Sequence, residues 1–221
     1  TNPIGTGPYK YVSRSPQENF IVERFDDYWG EKANIENVTF KICANADSIV
    51  MNLEGGSIDM FARVTATQAA ELSDKFDVLE GTMNLVQALY LNNAVAPFDD
   101  VRVRQALSYA VNPQEIMDII SDGKGTELGS SMFPAFGKYY MEELNDTYQQ
   151  NFDKAKELLA EAGYPDGFSF TITVPSNYQP HIDTAQVLVE QFANIGVTAN
   201  IQLVEWDSWL SDVYTDRNFE S

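Results

Sequence analysis

Between Phe168 and Val204 the hydrophobic period changes twice, and no other feature of this 221-residue chain limits its fold more. FSFTITV alternates strictly, with Phe168, Phe170, Ile172 and Val174 on one face, the period-2 pattern of a half-buried strand. Ile182, Ala185, Leu188, Phe192 and Ile195 then recur at helical spacing, Gly196 terminates that helix, and VTANIQLV alternates again. Strand, helix and strand in this order predict two parallel strands joined by a right-handed crossover, hence an α/β fold. The same logic extends both ways. Asp153 is expected to cap a helix with Ala155, Leu158, Leu159 and Ala162 on its buried face; Gly163 ends it, and Asp166-Gly167 turns the chain into FSFTITV. After the second strand, Trp206, Trp209, Leu210 and Val213 define one more helical face. A further strand is expected to follow, so the sequence reads as part of a longer protein.

Upstream, the elements are shorter. YKYVS and NFIVERF flank Arg14-Ser15-Pro16-Gln17-Glu18 as a hairpin, and VTFKIC alternates with Val38, Phe40 and Ile42 on one face. DSIVMNLEGG reads as a helix ended by glycine, SIDMF as a strand, TATQAAELSD as a helix capped by Thr65 or Thr67, and LVQALYLNN as a strand. Next comes PFDDVRVRQALSYAVNPQEIM, residues 97–117. Asp99 is the expected N-cap, Phe98 and Val103 can form a hydrophobic staple, and Asp100 faces the positive end of the helix dipole. Val103, Ala106, Leu107, Ala110 and Val111 make one apolar face. Asn112-Pro113-Gln114-Glu115 then stops and restarts the helix, which ends at Asp122-Gly123. Arg102 and Arg104 lie off the apolar face, where pairing with nearby acids contributes only about 0 to 1 kcal/mol per pair.

Charge narrows the function. With 33 Asp+Glu against 14 Lys+Arg, a net charge of −19, the chain repels phosphate backbones and anionic lipid headgroups, so nucleic acid is not an expected partner. At 44% hydrophobic residues the chain can bury a core, and no run reaches the ~18 apolar residues of a membrane span. TNPIGTG has neither the basic start nor the apolar run of a signal peptide. Cys43 is the only cysteine, which excludes an intrachain disulfide and reads as a small apolar residue of VTFKIC. His181 is the only histidine and lacks partners for a zinc site. GxSxG, Walker and GxGxxG motifs are absent, and GTGP has no helix after it to cradle phosphate. Paired acids at Asp26-Asp27, Asp99-Asp100 and Glu142-Glu143 read as caps or solvated surface. No metal, cofactor or catalytic residue is expected.

Ordered motifs carry a resemblance. GTGPYKY, YWGEKANIENVTFKI, LEGGSIDM, LYLNNAVAPFDDVRVRQALSYAVNPQEI, NFDKAKELLAEAGYPDGFSFTITV and IGVTANIQLVEWDSWL resemble, in this order and over nearly the whole chain, the extracytoplasmic solute-binding proteins of peptide-type ABC transporters. Among these motifs PFDDVRVRQALSYA and KAKELLAEAGYPDGF are the most specific. One departure is Asn112, where the family commonly has aspartate, and the capping chemistry is kept.

The resemblance implies a two-lobed, periplasmic-binding-protein-like α/β fold, roughly twice as long as this chain, that closes by a hinge around its ligand. It places residues 1–88 in the later part of the first lobe, 89–97 in the hinge crossover, and 98–221 in the first half of the second lobe. The implied role is that of the substrate-binding component of an importer. It would hold a peptide or related small solute in an interlobe cleft and deliver it to the permease subunits in the membrane, outside the cytoplasm as a periplasmic protein or surface lipoprotein. In the family an acidic residue that pairs with the ligand's amino terminus is expected shortly after Ser221. Trp206 of VEWDSWL matches a family aromatic that lines the cleft, Trp209 competes with it, and Tyr90, Phe61 and Phe133 are further candidates. A homodimer formed through open sheet edges is a further expectation. Rival readings are a sensor that keeps the receptor fold and a hydrolase whose two carboxylates lie far apart in sequence.

Overall fold

The computed structural model describes residues 3–43 and 46–221, so the first two residues of TNPIGTG lie outside it. The chain divides into two compact units, one ending at Val78 and one running from Leu79 to Ser221.

In the first unit, β1 (Tyr9–Ser15), β2 (Asn19–Arg24) and β3 (Asn37–Lys41) form an antiparallel sheet in sequence order. Gln17, at φ 64°, takes the left-handed position of the β1–β2 turn, and the register slips between Tyr11 and Ser13. Phe20 opposes Phe40 across β2 and β3, and Tyr11, Phe20 and Phe40 form a row of rings with centroids 5.4 and 6.1 Å apart. Two short helices follow, α1 (Ala46–Glu54) and α2 (Ala66–Leu72). Thr65 is the cap of α2: its hydroxyl accepts from the Gln68 N–H, and the Gln68 side chain accepts from the Thr65 N–H, a complete capping box. Among the described residues of this unit, Val22, Leu53 and Leu72 are the buried apolar ones. The strand expected at SIDMF does not form. Gly56, at φ 67°, reverses the chain, and the Ser57 N–H and hydroxyl both donate to the Asn52 carbonyl, which ties the segment to the end of α1 instead of to a neighbouring strand.

The second unit is layered. β4 (Ser169–Pro175) and β5 (Thr198–Val204) run parallel, with Phe170 beside Ala199 and Ile172 beside Ile201. The crossover helix is α6 (Gln179–Ala193), as the change of period requires. Helices α3 (Val101–Ala110), α4 (Pro113–Ser121) and α5 (Phe152–Glu161) precede the sheet in sequence. Phe98, Val103, Ala106, Leu107 and Ala110 join Ala155, Leu159, Phe170, Ile172, Leu188 and Phe192 in one continuous core. Phe98 meets Phe168 and Phe170 edge-on, at 6.0 and 5.1 Å. Gly167 opens β4 at φ 78° directly against Gly196, where an added Cβ would collide with the Gly196 carbonyl.

Two caps are shifted from their expected positions. The chain is already turned at 95–100, with the Asp99 N–H donating to Val95 and the Asp100 N–H to Pro97, so Asp100 and not Asp99 is the first residue free to cap α3. Its carboxylate accepts from the Arg102 N–H at 2.8 Å. For α5 the cap is Asn151, fixed by its N–H to the Tyr109 carbonyl, and Asp153 sits in the first turn facing the dipole. At α4 the expectation holds: Asn112 accepts from the Glu115 N–H, Pro113 opens the helix and Asp122 closes it at φ 52°. LVQALYLNN forms no ladder. Its Asn92 is held instead by the end of the chain, the backbone N–H by the Glu220 carbonyl and Nδ2 by the carbonyls of Arg217 and Phe219. The Thr173 N–H donates to the Ser221 carbonyl, so residues 218–221 return beside β4, in the place of the further expected strand.

Candidate functional site: an aromatic ladder at the strand ends

In parallel α/β sheets the open ends of the strands are their carboxyl ends, because the crossover helices leave there and the loops splay apart. In this chain both such ends carry aromatic residues. Tyr178 stands three residues beyond Pro175, the last residue of β4, and Trp206 two beyond Val204, the last of β5. The Ser176 N–H donates to the Val204 carbonyl at 2.8 Å, which holds the two exits side by side. The rings meet as a result, with Tyr178 5.3 Å from Trp206 at 55°.

From Trp206 a single α-turn, α7 (Trp206–Ser208), continues into a π-helix at Trp209–Thr215. The wider winding decides which rings line up. Trp209 stacks on Trp206 at 5.4 Å with planes only 5° apart. Residues five apart point well away from each other on an α-helix but close together on a π-helix, and Trp209 and Tyr214 stack at 6.3 Å and 26°. The Thr215 hydroxyl and the Asp216 N–H each bond a carbonyl five residues back, at Leu210 and Ser211, and so maintain that winding. At the other end His181 lies 5.2 Å from Tyr178 at 30°. The result is a ladder in the order His181, Tyr178, Trp206, Trp209, Tyr214. Both tryptophans are half-buried, Tyr214 is 67% exposed, and only Val213 of this helix faces the core. The expected common apolar face of Trp206, Trp209, Leu210 and Val213 is therefore split, with Val213 inward and the indoles in the ladder.

The sequence around the ladder is mostly acidic, with the exposed Arg217 three residues beyond Tyr214. Residues 157–216 contain nine Asp and Glu and no Lys or Arg. Glu205, Asp207, Asp212 and Asp216 are exposed on or next to the ladder helix. Burial pushes the His181 imidazole below its ordinary value, which favours its neutral form. Beneath the same helix a cavity of about 390 Å³ opens on the sheet, lined by Thr171, Thr173, Gln202, Ser208 and Asp212. A second, more open hollow of about 540 Å³ lies at the start of α3, lined by Asp99, Asp100 and Tyr164. There Arg102 holds the Asp100 carboxyl down at about 2 and also reaches the Glu161 carbonyl, while Arg104 donates to the Phe98 carbonyl at 2.8 Å. Those arginines join the turn before α3 to its own helix and to the end of α5.

The other sequence candidates lie apart from the ladder. Phe133 packs on Phe136 at 4.4 Å, at the start of a 3₁₀ turn (Pro134–Tyr139). Tyr90 is 72% exposed on the extended segment before Asn92, and Phe61 belongs to the first unit. Sequence reasoning missed Tyr178 and Tyr214 as site residues. Tyr178 could have been found by applying to β4 the strand-end rule that favours Trp206 after β5; Tyr214 could not, because its alignment needs π-winding. Among the described residues, no group of three His, Cys, Asp or Glu could hold a metal, and no helix is long and apolar enough to cross a membrane.

Comparison with known proteins gives one consistent family. The family described as "Bacterial extracellular solute-binding proteins, family 5 Middle" matches residues 1–221. The heme-binding protein A of Haemophilus influenzae is 31% identical over 213 residues, covering 93% of this chain and 38% of that protein. The dipeptide-binding protein of Escherichia coli is 30% identical over 215 residues, covering 95% of this chain and 40% of its own length. Among solved structures, the ABC transporter-associated periplasmic binding protein DppA from Helicobacter pylori, in complex with the peptide STSA, superposes with a TM-score of 0.79 at 27% identity, over 96% of this chain and 41% of that one. The chain thus spans about two-fifths of the length of these relatives, whose named ligands differ.

Proposed function

Because the chain belongs to family 5 of the bacterial extracellular solute-binding proteins, we propose that it is the central part of an ABC importer's receptor, which captures a peptide or related small solute outside the cytoplasm and passes it to the membrane permease. Its α/β architecture is of the periplasmic-binding-protein type. Residues 1–88 are assigned to one lobe, 89–97 to the crossover, and 98–221 to the other lobe. The Asn92 side chain, bonded to two carbonyls of the returning chain, supports a crossover fixed at that point.

The relatives are binding proteins, and the same role without catalysis is proposed here, supported by the absence of any nucleophile motif in the sequence. The observation that carries the reading is the aromatic ladder at the carboxyl ends of β4 and β5. It offers ring faces and edges for contact, polar neighbours to orient a ligand, and few rotatable bonds to freeze on binding. Trp206 is the ligand-contacting residue most favoured by position; Tyr90, Phe61 and Phe133 are secondary assignments.

The test is native mass spectrometry and calorimetry of the full-length protein. We expect a co-purified peptide or small solute, together with micromolar or tighter binding of members of a short-peptide library. Trp206→Ala should weaken that binding at least several-fold while leaving the ligand-free melting temperature nearly unchanged. Enzyme-concentration-dependent cleavage of the library, or a Trp206→Ala protein that melts early but binds normally once folded, would overturn the assignment.

A further inference from the structure

The outer rungs of the ladder stand on a helix whose end is held from elsewhere in the chain, and the inference drawn from this rests on the receptor reading just given. The wide winding that lines up Trp209 and Tyr214 closes with the bond from the Asp216 N–H to the Ser211 carbonyl. Arg217 follows at φ 58°, the left-handed position that helix ends usually give to glycine. The Asn218 N–H then reaches back six residues to the Asp212 carbonyl at 2.8 Å. A residue with a side chain keeps that conformation only where its surroundings fix it. Asn92 supplies the fixing. Its Nδ2 donates to the Arg217 carbonyl at 3.2 Å and to the Phe219 carbonyl at 2.8 Å, and its backbone N–H donates to the Glu220 carbonyl at 2.9 Å. Its Oδ1 accepts from the Ala94 N–H at 3.1 Å and its carbonyl from the Val95 N–H, so every hydrogen-bonding group of Asn92 is engaged. On the other side, the Thr171 N–H donates to the Glu220 carboxylate and the Thr173 N–H to the Ser221 carbonyl, which pins the same segment to β4. Asn93, next in sequence, is exposed.

From these contacts we propose that Asn92 is a positioning residue for ligand binding: by clamping the left-handed stop at Arg217 it keeps the ladder helix in its wide winding and Tyr214 in line with Trp209. It acts through the backbone of residues 217–220 and not on the ligand. Released from that stop, the last turn can relax to α-winding, in which residues five apart face away from each other. Residues 89–97 are the crossover in the receptor reading, so the clamp couples the alignment of the binding rings to the segment about which the lobes close.

The test uses the full-length protein, with amide hydrogen exchange read by mass spectrometry for the winding and calorimetry for binding. The probe is the member of the short-peptide library that the wild-type protein binds best. Asn92→Asp keeps the shape of the side chain and the acceptor for Ala94, but sets an oxygen against two carbonyls. In this variant residues 209–219 should exchange about tenfold faster, the size expected from losing two hydrogen bonds, while α6 exchanges as before. Affinity should fall about 5-fold or more, the lower end of coupling between linked positions. Asn93→Ala should change neither. Arg217→Gly removes the strain, so Asn92→Asp should cost less affinity on that background than alone; strictly additive losses would show that Asn92 acts elsewhere. If Asn92→Asp does not fold, Thr215→Val, which removes only the hydroxyl bond to the Leu210 carbonyl, should show both effects in smaller measure, and its showing neither would overturn the proposal. An Asn92→Asp protein that melts early yet binds like wild type once folded, whether or not residues 209–219 exchange faster, makes Asn92 merely structural and refutes the positioning role; Trp206→Ala still weakening the probe then leaves the receptor reading standing. If the wild-type protein binds no peptide of the library, the receptor reading fails and the inference falls with it.

Discussion

The two units are made from similar proportions of apolar residues and bury them very differently. In the first, Val22, Leu53 and Leu72 are buried while Phe40, Ile42, Met51 and Met60 stay largely exposed; in the second, a continuous core links α3, α5, α6 and both strands. The cause is layering. A sheet buries a face only when another element lies across it, and three helices share that task in the second unit, whereas the first has a three-stranded sheet and two helices of nine and seven residues. Hydrophobic content alone therefore does not locate the stable part of a chain; the elements able to cover one another do.

The sharpest way to break this comparison is denaturant unfolding, which should show two transitions, the first unit melting before the second. Phe170→Ala should move only the later transition, by about 3 to 5 kcal/mol, because it empties a fully packed site. Phe40→Ala, at a ring 57% exposed, should move the earlier one by less than about 1 kcal/mol. A single transition shifted by both substitutions would show that the units fold as one.

Gly167→Ala comes next. Positive φ and the collision with Gly196 act together, and a loss of at least about 2 kcal/mol, again confined to the later transition, is expected from circular dichroism melts. A smaller loss is expected from Gln191→Leu. This buried amide accepts from the Asn112 N–H and donates to the Asn112 carbonyl and to Glu115, so it joins α6 to the start of α4. Removing it takes the acceptor from the Asn112 N–H, while the Asn112 carbonyl keeps the Ile116 N–H, at a cost of about 1 to 3 kcal/mol.

The gentlest probe is pH. His181, the only histidine, has a lowered folded-state value, so below the ordinary imidazole value of about 6.5 the unfolded chain takes up the proton first. Its contribution is complete above that pH and is lost as pH falls, and only the second unit should respond there; His181→Gln should flatten the response. Lower down, Asp100 is held at about 2 by the Arg102 side chain and N–H, so its contribution is lost between about pH 4 and pH 2. Asp26 in the first unit is lowered too, by Arg24 and Lys32, so acid below that point weakens both units and the comparison blurs.

Where layers form, most of the buried residues were readable, with Ala162, Phe168 and Ile182 only partly buried and Thr184, Val187 and Gln191 buried beside the expected ones. The buried sets of α5, β4 and α6, the Asn112-Pro113 restart and the Gly163, Gly167 and Gly196 turns are local signals that packing reinforces. The misreadings share a different cause. SIDMF and LVQALYLNN have strand composition but find no ladder partner, and a strand is defined by its partner as much as by its residues. The caps of α3 and α5 shifted because Asp100 and Asn151 are positioned by hydrogen bonds to the preceding turn and to Tyr109, contacts that spacing does not encode. At the candidate site, the place of Trp206 directly after a strand was legible. The stack of Trp209 and Tyr214 was not, because helical periodicity assumes α-winding throughout.

The Trp206–Trp209 pair has one more consequence, an optical one. Two indoles 5.4 Å apart and 5° from parallel are close enough for their electronic transitions to couple, which gives a near-ultraviolet circular dichroism signal and an emission spectrum unlike those of isolated tryptophans. Trp29, the only other tryptophan, lies in the first unit and is 80% exposed, so it contributes a solvent-like background. The protein thereby carries its own label at the ladder, and anything that parts or shields the paired rings should be visible in spectra without an added dye.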